Sequence, residues 1–191
     1  MEDITAVILA GGKSRRMKTD KALIKFNDKT LLENQIDLLN PIFNKIIISA
    51  NSQKYSFANL QIINDEQSDL GPIGGILSVL KRVKTDYVFI ISVDMPLITT
   101  DLIKHLISKK ANYDIVLPVF NDKYEPTCAV YSRNCINTIE KQILANDYKL
   151  KNFIEKSNTN FVEINENLEF YNKNLFVNLN SPKDLIDIKK Y

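Results

Sequence analysis

Histidine, cysteine and glycine are all scarce in this 191-residue chain, and neither sign of charge prevails. His105 is the single imidazole, and Cys128 and Cys135 are isolated thiols without CxxC spacing. A histidine-based catalytic relay, a zinc site and a disulfide framework are therefore poorly supplied. Lys and Arg number 25 against 23 Asp and Glu, leaving a net charge of +2. That balance lacks the basic excess of a nucleic-acid binder, so an anionic ligand has to be met by charge gathered locally. No uninterrupted apolar run reaches the length of a membrane span. The opening MEDITAVILAGG begins with acids and lacks the basic region and cleavage site of a signal peptide. The expectation is a cytoplasmic, reduced protein with no membrane and no nucleic-acid partner. At 45% hydrophobic residues, its length fits one domain spanning 1–191 with a continuous core.

Short Ile- and Val-rich runs alternate with stretches of helical period, the pattern of a mostly parallel sheet covered by helices on both faces. Strands are predicted at Thr5–Ala10, Asn44–Ala50, Gln61–Ile63, Tyr87–Ser92, Ile115–Phe120 and Cys128–Tyr131. Thr30 and Glu33 have the spacing of a capping box, which starts a helix running to Leu39. Further helices are predicted over Ile73–Val83, Asp101–Lys110 and Asn134–Asn146. A last helix would open at Ser181-Pro182, with Asp184 answering the cap. The stretch from Asn152 to Asn174 reads as polar and irregular, with a weak strand at Phe161–Ile164.

The five glycines fall in two places only, Gly11-Gly12 after the first strand and Gly71, Gly74 and Gly75 at a helix start. Elsewhere Asn and Asp serve the turns. Such thrift suggests that each cluster meets a need for positive φ or for close approach of backbone to a ligand. In VILAGGKSRRMKTDKAL, a strand delivers the chain into a Gly pair ringed by Lys13, Arg15, Arg16 and Lys21, a cradle for anions. The plain alternative is a tight turn followed by a solvated basic face. The loop matches neither GxxxxGK[ST] nor GxGxxG, so it would be a phosphate loop of another kind. Asp94, a lone acid in FIISVDMPLIT, follows an apolar strand at the edge where open α/β sheets place ligands. It reads equally as a Mg²⁺ ligand and as a cap for the next turn. His105 reads as a partly buried structural residue, and Cys128 as core.

LAGGKSRRM, Asp20-Lys21, GPIGG, VDMP and NLNSP, in that order, resemble the molybdenum cofactor guanylyltransferase family along nearly the whole chain. The resemblance implies a three-layer Rossmann-like nucleotidyltransferase fold and an enzyme that transfers GMP from GTP to the terminal phosphate of molybdenum-molybdopterin. It places Leu9, Ala10, Gly11, Gly12 and Gly71 around the nucleotide and Arg16 and Lys21 on the triphosphate, with Asp94 on Mg²⁺. Ser49, Asn51 and Asp65 then contact the guanosine. Asn180, and less directly Asn178, approach from the far end of the chain, where Glu125 either lines the acceptor side or belongs to a turn.

Two positions depart from the family pattern. Lys18 stands where Gly is usual and either adds a charge to the site or points to solvent. Ser49 replaces an Asn found in some members. GTP and molybdenum-molybdopterin are the implied substrates, with transient contacts to cofactor-donating and cofactor-accepting proteins. A cytidylyltransferase acting on the same cofactor and a non-catalytic nucleotide-sensing adaptor are the competing readings.

Overall fold

The computed structural model describes residues 4–11, 20–67, 70–180 and 184. The first strand, β1 (Ile4–Leu9), is buried at every position, as a central parallel strand must be. A small antiparallel ribbon, β2 (Lys25–Phe26) and β3 (Lys29–Thr30), follows, and its two-residue turn holds Asn27 and Asp28 at φ 52 and 65. That geometry suits the right-handed twist of a hairpin. Helix α1 (Leu31–Leu39) starts at the predicted capping box: Thr30 Oγ1 accepts from Glu33 N, and a Glu33 carboxylate oxygen accepts from Thr30 N at 2.7 Å. Thr30→Ala is expected to cost about 1 kcal/mol, a fall of roughly 2–4 °C in Tm by calorimetry.

Strands β4 (Ile46–Ser49) and β5 (Gln61–Ile63) flank a 3₁₀ turn at Gln53–Ala58. Then come α2 (Pro72–Arg82), β6 (Tyr87–Ser92), α3 (Thr100–Ser108), β7 (Ile115–Phe120), β8 (Lys123–Tyr124), β9 (Cys128–Ser132), α4 (Cys135–Leu144), α5 (Leu150–Glu155) and β10 (Thr159–Glu163). The predicted strands and helices fall on these elements, with ends shifted by a residue or two. The stretch after Asn152 is more regular than expected. It continues α5 and then forms β10, which pairs in parallel with β7 from Thr159 to Glu163. As an edge strand, β10 buries only Val162 fully, so its polar composition left only the weak strand signal at Phe161–Ile164.

The main sheet has eight strands, ordered β10-β7-β9-β6-β1-β4-β5, with β8 paired to β7. Its β1, β4, β5 and β6 pairings are parallel, whereas β9 runs antiparallel to both β6 and β7. Side chains alternate between faces with the strand period. On one face Ala6, Ile8, Phe89 and Ile91 pack with Leu31 and Leu32 of α1 and Leu102 and Leu106 of α3. On the other, Val7, Leu9, Val88 and Ile90 meet Ile76 and Leu80 of α2, Ile139 of α4 and Phe153 of α5. Cys128 is fully buried, and His105 packs on Phe170 at 5.3 Å between ring centroids. Burial and Lys109 hold the His105 imidazole below its ordinary pKa, consistent with a structural role. No described helix is long and apolar enough to cross a membrane. Of the expected last helix, Asp184 is helical; the rest lies outside the described residues.

Candidate active site

The parallel register aligns Leu9 with Ser49 on one side and with Ser92 on the other, so the carboxyl ends of three strands share one edge. β4 and β5 lead outward from β1 on one side while β6 lies on the other, and ligands bind at such a reversal of strand order. A cleft of about 860 Å³ opens there. Of the residues singled out in the sequence, Leu9, Ala10, Gly11, Ser49, Asn51, Asp65 and Gly71 line it. Asp20, Tyr55, Gly75, Ser92 and Thr127 line it too.

At one end, Asn51 and Asp65 grip each other: Asn51 Nδ2 donates to Asp65 Oδ2 at 3.0 Å, and Asp65 N donates to Asn51 Oδ1 at 2.7 Å. Burial raises the Asp65 carboxyl above its ordinary pKa, and the Asn51 bond only partly offsets this. Helix α2 closes this end. Gly71 caps it at φ 68, ψ −155, a region open in practice to glycine alone. Gly75 lies inside the helix, where a Cβ would stand 3.2 Å from Ser49 Oγ and 3.4 Å from Asp65 Oδ1. Gly74 is also helical, and its bare Cα accommodates the Leu70 side chain rather than the cleft. The expected need for positive φ thus holds at Gly71 alone among the described glycines; Gly11 has ordinary φ.

Lys21, Asp94 and Asn180 do not line the cleft but stand next to its Asp20 and Ser92 wall, where Lys21 Nζ donates to Asp94 Oδ2 and to Asn180 Oδ1, each at 2.8 Å. The two charged side chains are only 19% and 16% exposed, so the ion pair is better shielded than a surface one. Ser92 Oγ donates to Asp94 Oδ1 at 2.6 Å, and Leu179 N donates to the Asp94 carbonyl at 2.9 Å, tying the NLN segment to the VDMP loop. Buried Gln35 steadies that loop by donating to Met95 O at 2.8 Å. Asp94 is not the lone acid its sequence neighbourhood suggests. Because β9 is antiparallel, the chain entering it returns to the same edge and brings the half-buried Glu125 close enough to feel Asp94. Burial first, and then Asp94, raise the Glu125 pKa.

Asn178 turns instead to Phe176 O at 3.4 Å, a weak local contact. Gly12, Arg16 and Lys18 lie outside the described residues. Sequence reasoning missed Tyr55 and Ser92. Tyr55 sits in a polar turn with no period, and Ser92 reads simply as the end of a strand.

The family model of the MobA-like NTP transferase domain matches residues 6–161. A probable molybdenum cofactor guanylyltransferase of Natranaerobius thermophilus is 36% identical over 100% of this chain and 97% of its own. The molybdenum cofactor guanylyltransferase of Syntrophotalea carbinolica is 34% identical, covering 94% and 88% of the two chains. Among solved structures, molybdopterin-guanine dinucleotide biosynthesis protein A of Archaeoglobus fulgidus superposes with a TM-score of 0.82 at 24% identity, over 97% of both chains. At a TM-score of 0.72 and 15% identity, the bifunctional IspDF of Campylobacter jejuni shares the fold over 97% of this chain and 54% of its own. The sheet order, the cleft at its carboxyl edge and these matches agree, and the chain belongs to the MobA-like NTP transferase domain family.

Proposed function

We propose that this chain, as one domain, transfers GMP from GTP to the terminal phosphate of molybdenum-molybdopterin, releasing pyrophosphate. The observation that carries this reading is the polarity of the cleft. A carboxylate–amide pair, Asp65 with Asn51, stands at one end, and a cation held between a carboxylate and an amide, Lys21 with Asp94 and Asn180, stands just beyond the Asp20 and Ser92 wall. The first suits a base rich in N–H donors, and the second suits phosphates. The volume of the cleft falls within the ~300–1,000 Å³ of small-molecule sites.

In the reaction an oxygen of the acceptor phosphate bonds to the α-phosphorus of GTP as the bond from that phosphorus to the bridging oxygen of pyrophosphate breaks. A phosphate monoester, with a second pKa of about 6, is already largely dianionic at neutral pH and needs no general base. His105 has no part in it. What the chain must supply is alignment and neutralisation of charge on the leaving group. Lys21 brings a fixed positive charge, and Asn180 and Ser92 orient Lys21 and Asp94.

The donor set also suits Mg²⁺. Asp94 accepts one bond on each oxygen, leaving about half of the roughly four acceptor positions of a carboxylate. Among the described residues no group of three or more His, Cys, Asp or Glu gathers to cage a metal. Mg²⁺ accepts such a setting, one or two carboxylates with phosphate oxygens and water completing the shell. Asp94 would hold it, and its chemistry there is neutralisation of phosphate charge.

The test is pyrophosphate release by the purified protein with Mg²⁺ and molybdenum-molybdopterin, GTP set against CTP. Release with GTP is expected, and release with CTP alone would replace this reading with the cytidylyl one. For Asp65→Asn, the preference for GTP over CTP in kcat/KM is expected to shrink by about tenfold or more, because one strong acceptor becomes an amide. An unchanged preference in matched kinetics would remove Asp65 from base recognition.

A further inference from the structure

Tyr55 is 3% exposed, with its ring in the core, yet its hydroxyl reaches the cleft wall. It lies 2.8 and 2.9 Å from the two carboxylate oxygens of Asp20 and 3.2 Å from Ala10 O. The phenol is the donor in each contact, and its single hydrogen favours the carboxylate over the carbonyl. Ala10 and Asp20 are the two residues that flank the Gly11–Thr19 stretch holding LAGG's glycines and the Arg pair. Asp20 also caps the 3₁₀ turn that begins with Lys21, accepting from Ala22 N at 3.2 Å. Tyr55 itself belongs to the turn that starts just after Asn51 and Ser52. One buried hydroxyl therefore joins the rim that carries Asn51 to the rim from which Lys21 projects.

We infer that the Tyr55–Asp20 hydrogen bond is a latch that fixes the spacing between the base end and the phosphate end of the cleft, making Tyr55 a positioning residue for the whole nucleotide. The inference rests on the nucleotide reading of the cleft. A fixed spacing benefits only a ligand that bridges both ends, because binding at one end then presents the other group at high effective concentration. A ligand that touches one end alone gains nothing from the latch. Packing cannot be the reason for the hydroxyl, since phenylalanine would fill the same core space.

Calorimetric titration of the wild-type protein and of Tyr55→Phe with GTP, and separately with inorganic tripolyphosphate, both with Mg²⁺, tests this. Tyr55→Phe is expected to raise the Kd for GTP about tenfold, the effect of losing one hydrogen bond to a charged group, and to leave the Kd for tripolyphosphate unchanged. Asp20→Ser keeps an N-cap oxygen while withdrawing the carboxylate from the phenol. It should weaken GTP similarly, and adding Tyr55→Phe to it should cost nothing more. Equal GTP affinity in Tyr55→Phe and wild type, or an equal loss for GTP and tripolyphosphate, would overturn the latch while leaving the nucleotide reading in place. Failure of the wild-type protein itself to bind GTP would overturn both.

Discussion

Asp94→Asn is expected to lower kcat/KM by a hundredfold or more while the protein stays folded, with some loss of melting temperature because Lys21 loses its counter-charge. The substitution keeps size and shape: the amide oxygen can still accept from Lys21 Nζ, and Nδ2, standing where Oδ1 was, can donate to Ser92 Oγ, the two bonds to Asp94 measuring 2.8 and 2.6 Å. What it removes is the negative charge. If Asp94 holds the metal as proposed, the loss falls on charge stabilisation in the transition state, commonly worth that factor. Turnover should also respond less to Mg²⁺ concentration. Steady-state kinetics across a Mg²⁺ series decide the matter, and wild-type turnover with wild-type Mg²⁺ dependence would mean that Asp94 holds no metal. Because the Asp94 carbonyl also accepts from Leu179 N, circular dichroism and a melting curve should accompany the kinetics.

The central strands were legible because continuous Ile and Val runs have few other places to go than a sheet buried on both faces. Capping at Thr30 and Glu33 was legible for a similar reason, the chemistry being local. Turn chemistry followed the thrift in glycine: among the described non-glycine residues with positive φ, all but Ala111 are Asn or Asp. The direction of β9 is not carried by its own apolar run, which would suit either orientation. It follows instead from spacing, since the hairpin through β8 leaves too few residues between Phe120 and Cys128 for a parallel crossover. That reversal is what places Glu125 beside Asp94. β10 registered only as a weak strand at Phe161–Ile164, because an edge strand has little apolar surface to declare itself.

Spatial convergence was the least legible feature. Lys21, Asp94 and Asn180 are separated by 73 and 159 positions, and no local pattern links them. Their grouping came from motif order and depends physically on Leu179 N holding the end of the chain against the Asp94 loop. Tyr55, 35 positions from Asp20, had no such motif to announce it.

Lys21→Met is expected to abolish most activity and, at the same time, to strengthen the binding of Mg²⁺ alone. The Lys21 ammonium occupies Asp94 Oδ2 at 2.8 Å and so competes with any other cation for that oxygen. A triphosphate offers the ammonium a richer set of anionic acceptors, which frees Asp94 for the metal that accompanies the phosphates. The wild-type protein should therefore take Mg²⁺ weakly by itself and well together with GTP. Methionine preserves the length and apolar stem of lysine but carries no charge. It leaves Asp94 with Ser92 as its remaining side-chain partner among those described and strips Asn180 Oδ1 of its donor. The fold should lose some stability, because removing one member of a shielded pair leaves the other charge uncompensated. The kinetic loss should be on the order of a hundredfold or more, if Lys21 is the fixed cation proposed for the leaving pyrophosphate. Lys21→Arg should restore only part of it, because a planar fork does not reproduce a compact ammonium between two acceptors. Titration of wild type and Lys21→Met with Mg²⁺, first without and then with GTP, separates the two effects. Tighter Mg²⁺ binding by the variant without GTP, with weaker GTP binding, is the expected pair of results; unchanged Mg²⁺ affinity without GTP would show that Lys21 does not compete for Asp94.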